Sequence, residues 1–251
     1  MRSNRIVWLT PEDPPGAFPD VASAMREPDG LLAAGGDLTP ERLLYAYRHG
    51  IFPWYDAGQP VLWWSPDPRC VLRPEKFHLS RRLRRTLPNL DETLTFNTAF
   101  ADVIRACAGP RRSEQGTWIT PEMINAYETL HEDGWAHSVE VRVGNRLVGG
   151  IYGLAIGKVF FGESMFSHET NASKLAMLGL CSVLRRHDFA LIDCQVVSSH
   201  LLTIGAETIP RRDFAAILAS ECALPDRFDD WPDAPVAIRD LESEDRDRSL
   251  Q

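Results

Sequence analysis

The sequence predicts an α+β fold, with a small N-terminal α/β domain followed by a larger domain that contains a mixed, mainly antiparallel sheet. Two observations lead to this class. Residues 1–66 are dense in proline, glycine and aromatic residues and contain turn signals such as Asp29-Gly30. From residue 95 onward, segments with helical spacing of apolar residues alternate with short runs rich in Val, Ile and Phe. We therefore expect domains at 1–66 and 67–225 and an acidic tail at 226–251.

The N-terminal domain is predicted to contain a helix that begins at Pro40. Thr39 is a favourable N-cap residue, proline is favoured at the first helical position, and Gly50 is a typical stop. Two aromatic motifs follow, at 51–55 (IFPWY) and 61–66 (VLWWSP). Together they hold three tryptophans, which is more than the core of a small domain needs.

Two interpretations of these tryptophans stay open. Trp63 and Trp64 can pack at a junction between the domains. Trp54 can instead serve as a stacking platform for a nucleic-acid base, because every base offers a π-face to an aromatic ring.

The larger domain is predicted to contain an antiparallel meander followed by a crossover. Gly144-Asn145 separates two alternating runs, which indicates a β-hairpin. Helix starts are indicated by Ser80, Asn97 and Thr120 as N-cap residues. Predicted strands cover 137–143, 146–154, 158–166 and 189–197, and predicted helices cover 96–108, 121–134, the segment between the last two strands, and 212–221. This order is typical of a layered fold with one crossover strand.

The composition is that of an ordinary globular protein, with 44% hydrophobic and 25% charged residues in a chain of 251. No run of about 18 apolar residues occurs, so no membrane-spanning segment is expected. The N-terminus lacks the apolar stretch of a secretory signal. The five cysteines include no Cys-x-x-Cys pair, which favours free thiols in a reducing compartment over structural zinc. We expect a cytoplasmic protein.

The net charge of −8 argues against a general nucleic-acid binder, but the charge is unevenly distributed. The basic stretch, residues 69–85, holds seven cations against Glu75 alone: Arg69, Arg73, Lys76, Arg81, Arg82, Arg84 and Arg85. Such a run solvates a surface or contacts a phosphate backbone, and its near lack of acids makes the second reading at least as favoured. The acidic tail is expected to be poorly ordered past Ile238.

Polar residues occur inside two of the predicted strands. Glu163 lies in the strand at 158–166, and Asp193 and Gln195 lie in the strand at 189–197. A lone buried carboxylate costs several kcal/mol, so such residues are seldom placed in a strand for packing alone. Asp193 and Gln195 are two apart and are expected to project to one face. The alternatives are a hydrogen-bonded structural carboxylate at Asp193 and a salt bridge from Glu163 to an arginine.

The ordered set of motifs resembles the leucyl/phenylalanyl-tRNA–protein transferases, bacterial enzymes of the N-degron pathway. The matching motifs span roughly residues 5 to 225: 30–38 (GLLAAGGDL), 50–55 (GIFPWY), 63–66 (WWSP), 117–119 (TWI), 162–167 (GESMFS) and 193–195 (DCQ). The resemblance implies a C-terminal domain of the GNAT acyltransferase type. It also implies transfer of Leu or Phe, and weakly Met, from aminoacyl-tRNA to the α-amine of proteins that begin with Arg or Lys.

The resemblance assigns roles to residues of this chain. Asp193 and Gln195 assist the attack, with the Gln195 carbonyl on the amine and with Asp193 either ordering Gln195 or accepting from the attacking ammonium. Glu163 binds the cationic N-terminus of the acceptor. Trp54 and Trp118 hold the terminal adenosine, and the basic stretch holds acceptor-stem phosphates. The side-chain pocket for Leu or Phe maps onto Phe160, Met165, Met177, Leu180 and Ile192. Aminolysis of an ester needs no metal or cofactor, and we expect a monomer.

One departure from other GNAT-type enzymes narrows the range of possible acyl donors. Acetyl-CoA enzymes of that fold hold pyrophosphate on a glycine-rich turn, whereas the turn at 167–173 here has no glycine and carries an acid. A CoA-dependent acetyltransferase is therefore a poor fit. A peptidoglycan-bridge aminoacyltransferase usually carries two such domains, for which the chain is too short. A tRNA-binding module without activity would have no need of Glu163, Asp193 and Gln195 together.

Overall fold

A computed structural model of the chain describes residues 6–109, 118–223 and 227–241. The strands are β1 (Val7–Leu9), β2 (Leu31–Gly35), β3 (Phe52–Pro53), β4 (Leu62–Trp64), β5 (Arg69–Leu72), β6 (Thr93–Phe96), β7 (Ala136–Val143), β8 (Arg146–Ile156), β9 (Val159–Ser167), β10 (Leu191–Gln195), β11 (Glu207–Ile209) and β12 (Val236–Ala237). The α-helices are α1 (Pro40–Arg48), α2 (Arg81–Thr86), α3 (Phe100–Cys107), α4 (Pro121–Glu132), α5 (Ala172–Arg186), α6 (Ser199–Thr203) and α7 (Arg211–Glu221).

The small sheet lies near the N-terminus and has the strand order β1-β2-β4-β3. Its β1–β2 pair is parallel and the other two pairs are antiparallel. Trp63 points into the core, where its indole Nε1 donates to the Gly35 carbonyl at 2.9 Å. Trp64 points the other way and donates to the Trp54 carbonyl at 2.7 Å. The two neighbouring tryptophans thus lie on opposite faces, as strand alternation requires.

The large sheet has eight strands in the order β11-β5-β10-β9-β8-β7-β6-β12. Its β9–β10 pair is parallel and is joined by the crossover helix α5, whereas the other pairs are antiparallel. The predicted α+β class with a mixed, mainly antiparallel sheet is therefore confirmed. The predicted hairpin about Gly144-Asn145 is also confirmed, as β7 and β8.

Two core clusters cover the two faces of the large sheet. The first contains residues of the small sheet, such as Phe52 and Trp63, together with residues of α3, α4 and α7. The second contains the buried face of α5 and reaches Trp231 and Ile238 near the C-terminus. The small sheet and the large sheet consequently share a continuous core on one face.

Two sequence predictions about element bounds are wrong. The helix predicted at 96–108 begins at Phe100, and Phe96 instead ends strand β6. Asn97 does not cap this helix. It has a left-handed φ of 57°, and its side-chain oxygen accepts from the Ser138 amide at 3.0 Å. Asn tolerates this conformation because its short side chain bonds locally, so the turn between β6 and α3 uses it there.

Packing against the core continues further into the predicted tail than the sequence indicated. Residues 227–241 lie against the second core cluster, with Trp231 and Leu241 buried and β12 paired with β6. The prediction of poor order past Ile238 falls mainly on residues 242–251, which lie outside the described residues.

None of the five cysteines, all of which fall within the described residues, forms a disulfide. Within the three described segments, no helix has the length and apolarity needed to cross a membrane. The same segments hold no group of three His, Cys, Asp or Glu side chains arranged to bind a metal.

Candidate active site

Strands β9 and β10 separate at the point where the predicted polar residues lie. Their parallel pairing joins Val159–Phe161 to Leu191–Asp193, whereas β9 itself continues to Ser167. On the other side of β10, the register with β5 shifts between Asp193 and Gln195. Gln195 has a φ of 61°, in the left-handed region that non-glycine residues rarely adopt. Irregularities of this kind re-aim a side chain, and here an opening forms between two otherwise paired strands.

Glu163 lies at this opening, buried, and accepts three hydrogen bonds. Tyr47 of α1 donates its hydroxyl to Oε1 at 2.7 Å, and Tyr127 of α4 donates to Oε2 at 2.9 Å. The Gln195 side chain bridges the opening, with Nε2 donating to Glu163 Oε1 at 2.6 Å. The two tyrosine hydroxyls also contact each other. The alternative of a salt bridge from Glu163 to an arginine is wrong, because its partners are two phenols and an amide.

The surroundings of Glu163 favour its neutral form far more than water does. Burial raises the pKa of Glu163 to about 7, with Asp193 also raising it, while the bonds from Tyr47, Tyr127 and Gln195 lower it. Burial and the nearby Glu163 raise the pKa of both tyrosines well above the usual value. Glu163 can therefore gain or lose a proton near neutral pH while both phenols stay protonated as donors.

Asp193 is fully buried and engaged by Arg69. The guanidinium donates to both carboxylate oxygens, from Nε to Oδ1 at 2.8 Å and from Nη2 to Oδ2 at 2.7 Å. Oδ1 also accepts from the backbone amide of Gln195 at 3.0 Å. Asp193 is thus a buried, hydrogen-bonded carboxylate, as the structural alternative predicted. Of the two reaction roles left open, this geometry favours the ordering of Gln195 over direct contact with an ammonium group.

The residues predicted to form the side-chain pocket lie together on the other face of the sheet. Phe160, Met177, Leu180 and Ile192 are closed into the second core cluster, and Met165 is half-buried against it. Ile192 and Asp193 are neighbours in β10 and point to opposite faces. The opening between β9 and β10 thus lies between an apolar cluster on one face and the Glu163–Gln195 pair on the other.

The two tryptophans predicted to hold adenosine come from segments that meet. Trp54 is 43% exposed and its ring centroid lies 5.8 Å from that of Trp64, while Trp118 is half-buried against the first core cluster. The residue after Trp54 reaches the second segment, since Tyr55 Oη lies 3.3 Å from Thr120 Oγ1.

The basic stretch divides into three parts in the structure. The prediction that Arg69 contacts phosphate is wrong, because its side chain has no exposed surface and is paired with Asp193. Arg73 and Lys76 pair with Glu207, at 3.4 Å and 2.9 Å, so these two cations are not unopposed as the local sequence suggested. The remaining four arginines, Arg81, Arg82, Arg84 and Arg85, are exposed on α2, which Ser80 caps as predicted.

Tyr47 and Tyr127 are the site residues that the sequence analysis missed. Both lie on the buried faces of their helices, Tyr47 on α1 and Tyr127 on α4, and both are fully buried there. The available signal was the hydroxyl group, because a buried tyrosine usually finds a hydrogen-bond partner. Local sequence does not identify that partner, since α1 and α4 are far from Glu163 in the chain.

Known proteins resemble this chain over most of its length. A family model described as leucyl/phenylalanyl-tRNA protein transferase matches residues 71–219, and the model of that family's N-terminal domain matches residues 36–67. A curated relative of the same description from Stutzerimonas stutzeri is 56% identical over 89% of this chain and 98% of its own length. Relatives from Aromatoleum aromaticum and Cellvibrio japonicus are 58% and 51% identical, over 81% and 96% of this chain and 86% and 99% of their own lengths.

One solved structure shows a slight similarity to this chain. The structure of L-PGS from Bacillus licheniformis gives a TM-score of 0.38 at 8% identity, over 66% of this chain and 53% of that one. That degree of likeness is too low to assign a fold.

Proposed function

This chain belongs to the leucyl/phenylalanyl-tRNA protein transferase family, and from that premise we propose that it moves Leu or Phe, and weakly Met, from aminoacyl-tRNA to the α-amine of proteins that begin with Arg or Lys. The chain is an aminoacyltransferase, and the proposed product is a protein marked for degradation in the N-degron pathway. We place it in the cytoplasm as a monomer. The observation that carries the proposal is the Glu163–Gln195 pair at the opening between β9 and β10.

The proposed reaction forms one bond and breaks one. The acceptor nitrogen attacks the ester carbonyl carbon of the aminoacyl group, a C–N amide bond forms, and the C–O bond to the terminal ribose breaks. The amine must arrive at the carbonyl without its extra proton, and the departing ribose oxygen must gain one. The protein has to hold the two reactants in line and move that proton.

Glu163 and Gln195 are suited to the amine side of this reaction. Gln195 gives its Nε2 to Glu163, which leaves the amide Oε1 to accept from the incoming amine. The opposite amide orientation would set Oε1 against a carboxylate oxygen. Glu163, with a pKa near 7, can take a proton at neutral pH and release it again. We therefore assign proton transfer to Glu163, placement of the amine to Gln195, and the ordering of Gln195 to Asp193.

The donor side of the reaction falls to the apolar cluster on the face of α5. We assign the Leu or Phe side chain to Phe160, Met165, Met177, Leu180 and Ile192. Methionine adapts its shape, which suits a pocket that accepts both an aliphatic and an aromatic guest. Because one missing methylene changes binding by only about 1–3 kcal/mol, some transfer of Met is expected. Trp54 and Trp118 are assigned to the terminal adenosine.

The direct test of this function is transfer of labelled Leu from charged tRNA to a synthetic peptide that begins with Arg. The expected product is the Leu-Arg peptide, with no product from the same peptide acetylated on its α-amine. A peptide that begins with Lys should also react, and one that begins with Glu should not. Absence of any labelled product from the Arg peptide would contradict the proposed function.

The exposed arginines of α2 are expected to bind the tRNA backbone. Charge reversal by Arg82→Glu with Arg84→Glu should weaken aminoacyl-tRNA binding about tenfold or more at low salt and flatten its dependence on salt, because fewer counterions are released. The measurement is a filter-binding titration at several salt concentrations. Arg212→Glu is the matched control, since Arg212 is also an exposed arginine, on α7.

A minimal donor, aminoacyl-adenosine, distinguishes contacts to the acceptor stem from contacts to the terminal adenosine. The α2 variant should bind aminoacyl-adenosine as the wild type does, because this ligand lacks the acceptor stem. An equal loss of affinity for aminoacyl-adenosine and for tRNA would show that α2 does not contact the stem.

A further inference from the structure

Arg69 is the residue of the basic stretch that the structure removes from the surface. It begins strand β5, which lies between the edge strand β11 and β10 in the large sheet, and it has no exposed surface. Its guanidinium engages both oxygens of Asp193 and, through Nη1, the Gly50 carbonyl at 3.1 Å. The rings of Phe52 and Phe214 lie on it at 4.8 Å and 4.7 Å. Elements from both ends of the chain therefore converge on this one side chain.

These contacts fix the carboxylate of Asp193 in position and in plane. A guanidinium presents its donors in a rigid fork that matches a carboxylate, whereas a lysine ammonium cannot hold both oxygens in one orientation. The stacked rings and the Gly50 carbonyl prevent the fork from turning. Asp193 has its orientation imposed by Arg69 and passes it on through its third bond, to the Gln195 amide.

The effect on Gln195 is local and specific. The Gln195 backbone sits in the left-handed region, which costs a non-glycine residue free energy and persists only where neighbouring contacts enforce it. Its amide is held by Asp193 Oδ1, and its carboxamide reaches Glu163 Oε1. If the Asp193 carboxylate rotates, the Gln195 amide loses its acceptor and the carboxamide loses its direction.

Stability alone does not account for such a pair. Burying two charges costs desolvation that their attraction often fails to recover, and replacement by apolar residues of similar volume is frequently neutral or stabilising. Resting on the proposed function, we propose that Arg69 is a positioning residue for the transfer reaction. It acts through Asp193 to aim the carboxamide of Gln195 at the attacking amine, without contact to tRNA.

The test compares two buried arginines. Arg42 is as buried as Arg69 and is likewise paired, with Asp37 at 3.0 Å and with the Asp13 carbonyl at 2.9 Å, but its partners belong to the N-terminal segment. Arg69→Lys and Arg42→Lys should both lower the melting temperature. Arg69→Lys should lower kcat about ten- to a hundredfold, the scale of a misplaced reacting group. Its KM for aminoacyl-tRNA should stay within twofold of the wild-type value, and Arg42→Lys should keep the wild-type kcat.

The outcomes separate three readings. A wild-type kcat in Arg69→Lys overturns the positioning role, as does an equal loss of kcat in Arg42→Lys. A raised KM for aminoacyl-tRNA with a flatter salt dependence returns Arg69 to the tRNA surface and also overturns it. Failure of the wild type to transfer Leu contradicts the proposed function instead.

If Arg69→Lys does not fold, a second variant tests the same proposal. Arg69→Met combined with Asp193→Asn removes both charges and leaves no uncompensated one in the core. This double variant is expected to fold, to bind aminoacyl-tRNA as the wild type does, and to transfer Leu at a rate reduced about tenfold or more. A wild-type rate in the folded double variant would overturn the proposal.

Discussion

Glu163→Gln is expected to lower kcat for Leu transfer about a hundred- to ten-thousandfold, the range typical of a lost general acid or base. Glutamine has the same shape, but its amide nitrogen only donates, so it can accept at one of the two positions that Tyr47 and Tyr127 now fill and it cannot take a proton. The KM for aminoacyl-tRNA should change little, because Glu163 faces the amine side of the opening. Single-turnover transfer from preloaded aminoacyl-tRNA measures the chemical step directly.

The same substitution should change how stability depends on pH. Burial raises the pKa of Glu163 from 4.5 to about 7 in the folded protein. Between these values the folded state binds more protons than the unfolded state, so this group lowers the free energy of unfolding as pH rises from 4.5 to 7. The full loss, at most about 3 kcal/mol, is present above pH 7. Glu163→Gln lacks this contribution, so its stability should fall less than that of the wild type between pH 5 and pH 8.

Glu163→Gln should therefore transfer Leu more slowly than the wild type and lose less stability between pH 5 and pH 8. Urea unfolding at pH 5 and pH 8 gives the stability difference, and the transfer assay gives the rate. Glu122→Gln is a suitable control, because Glu122 is exposed at the start of α4. A Glu163→Gln variant that retained more than a tenth of the wild-type rate would exclude proton transfer by this residue.

The fold could be predicted where local signals and burial agree. Thr120 caps α4 through its side chain, and the Gly144-Asn145 turn joins β7 to β8, as the sequence indicated. The strand at Arg69–Leu72 was not predicted, because an arginine at its start is typical of a surface segment. Its burial depends on Asp193, which lies 124 positions further along the chain. A pairing over that distance leaves no periodic signal near either partner.

The candidate site could be predicted in its residue types but not in its geometry. Alternation in a strand predicted that Asp193 and Gln195 project to one face, yet regular alternation does not hold at Gln195, which is left-handed. The residues around Gln195 include no glycine or asparagine, the residue types that indicate a left-handed conformation. The tyrosines that hold Glu163 come from α1 and α4, so only the packing of three distant segments reveals them.

Gln195 offers the second large effect, because its backbone and its side chain can be tested separately. Gln195→Gly and Gln195→Ala both remove the carboxamide, and both keep the backbone amide that donates to Asp193. Each is expected to lower kcat about a hundredfold or more, because the amine loses the group that places it. Their stabilities should differ: with φ at 61°, glycine should be more stable than alanine by about 1 kcal/mol.

Loss of the Gln195 carboxamide should also be visible in the pH profile. Its bond to Glu163 lowers the pKa of that carboxyl group, so both variants should shift the acidic limb of their residual kcat profile to higher pH. Equal rates and equal shifts in the two variants, alongside unequal melting temperatures, are expected if the carboxamide acts and the backbone only carries it. A glycine variant with near wild-type kcat would show instead that the left-handed backbone, rather than the amide, is what the reaction requires.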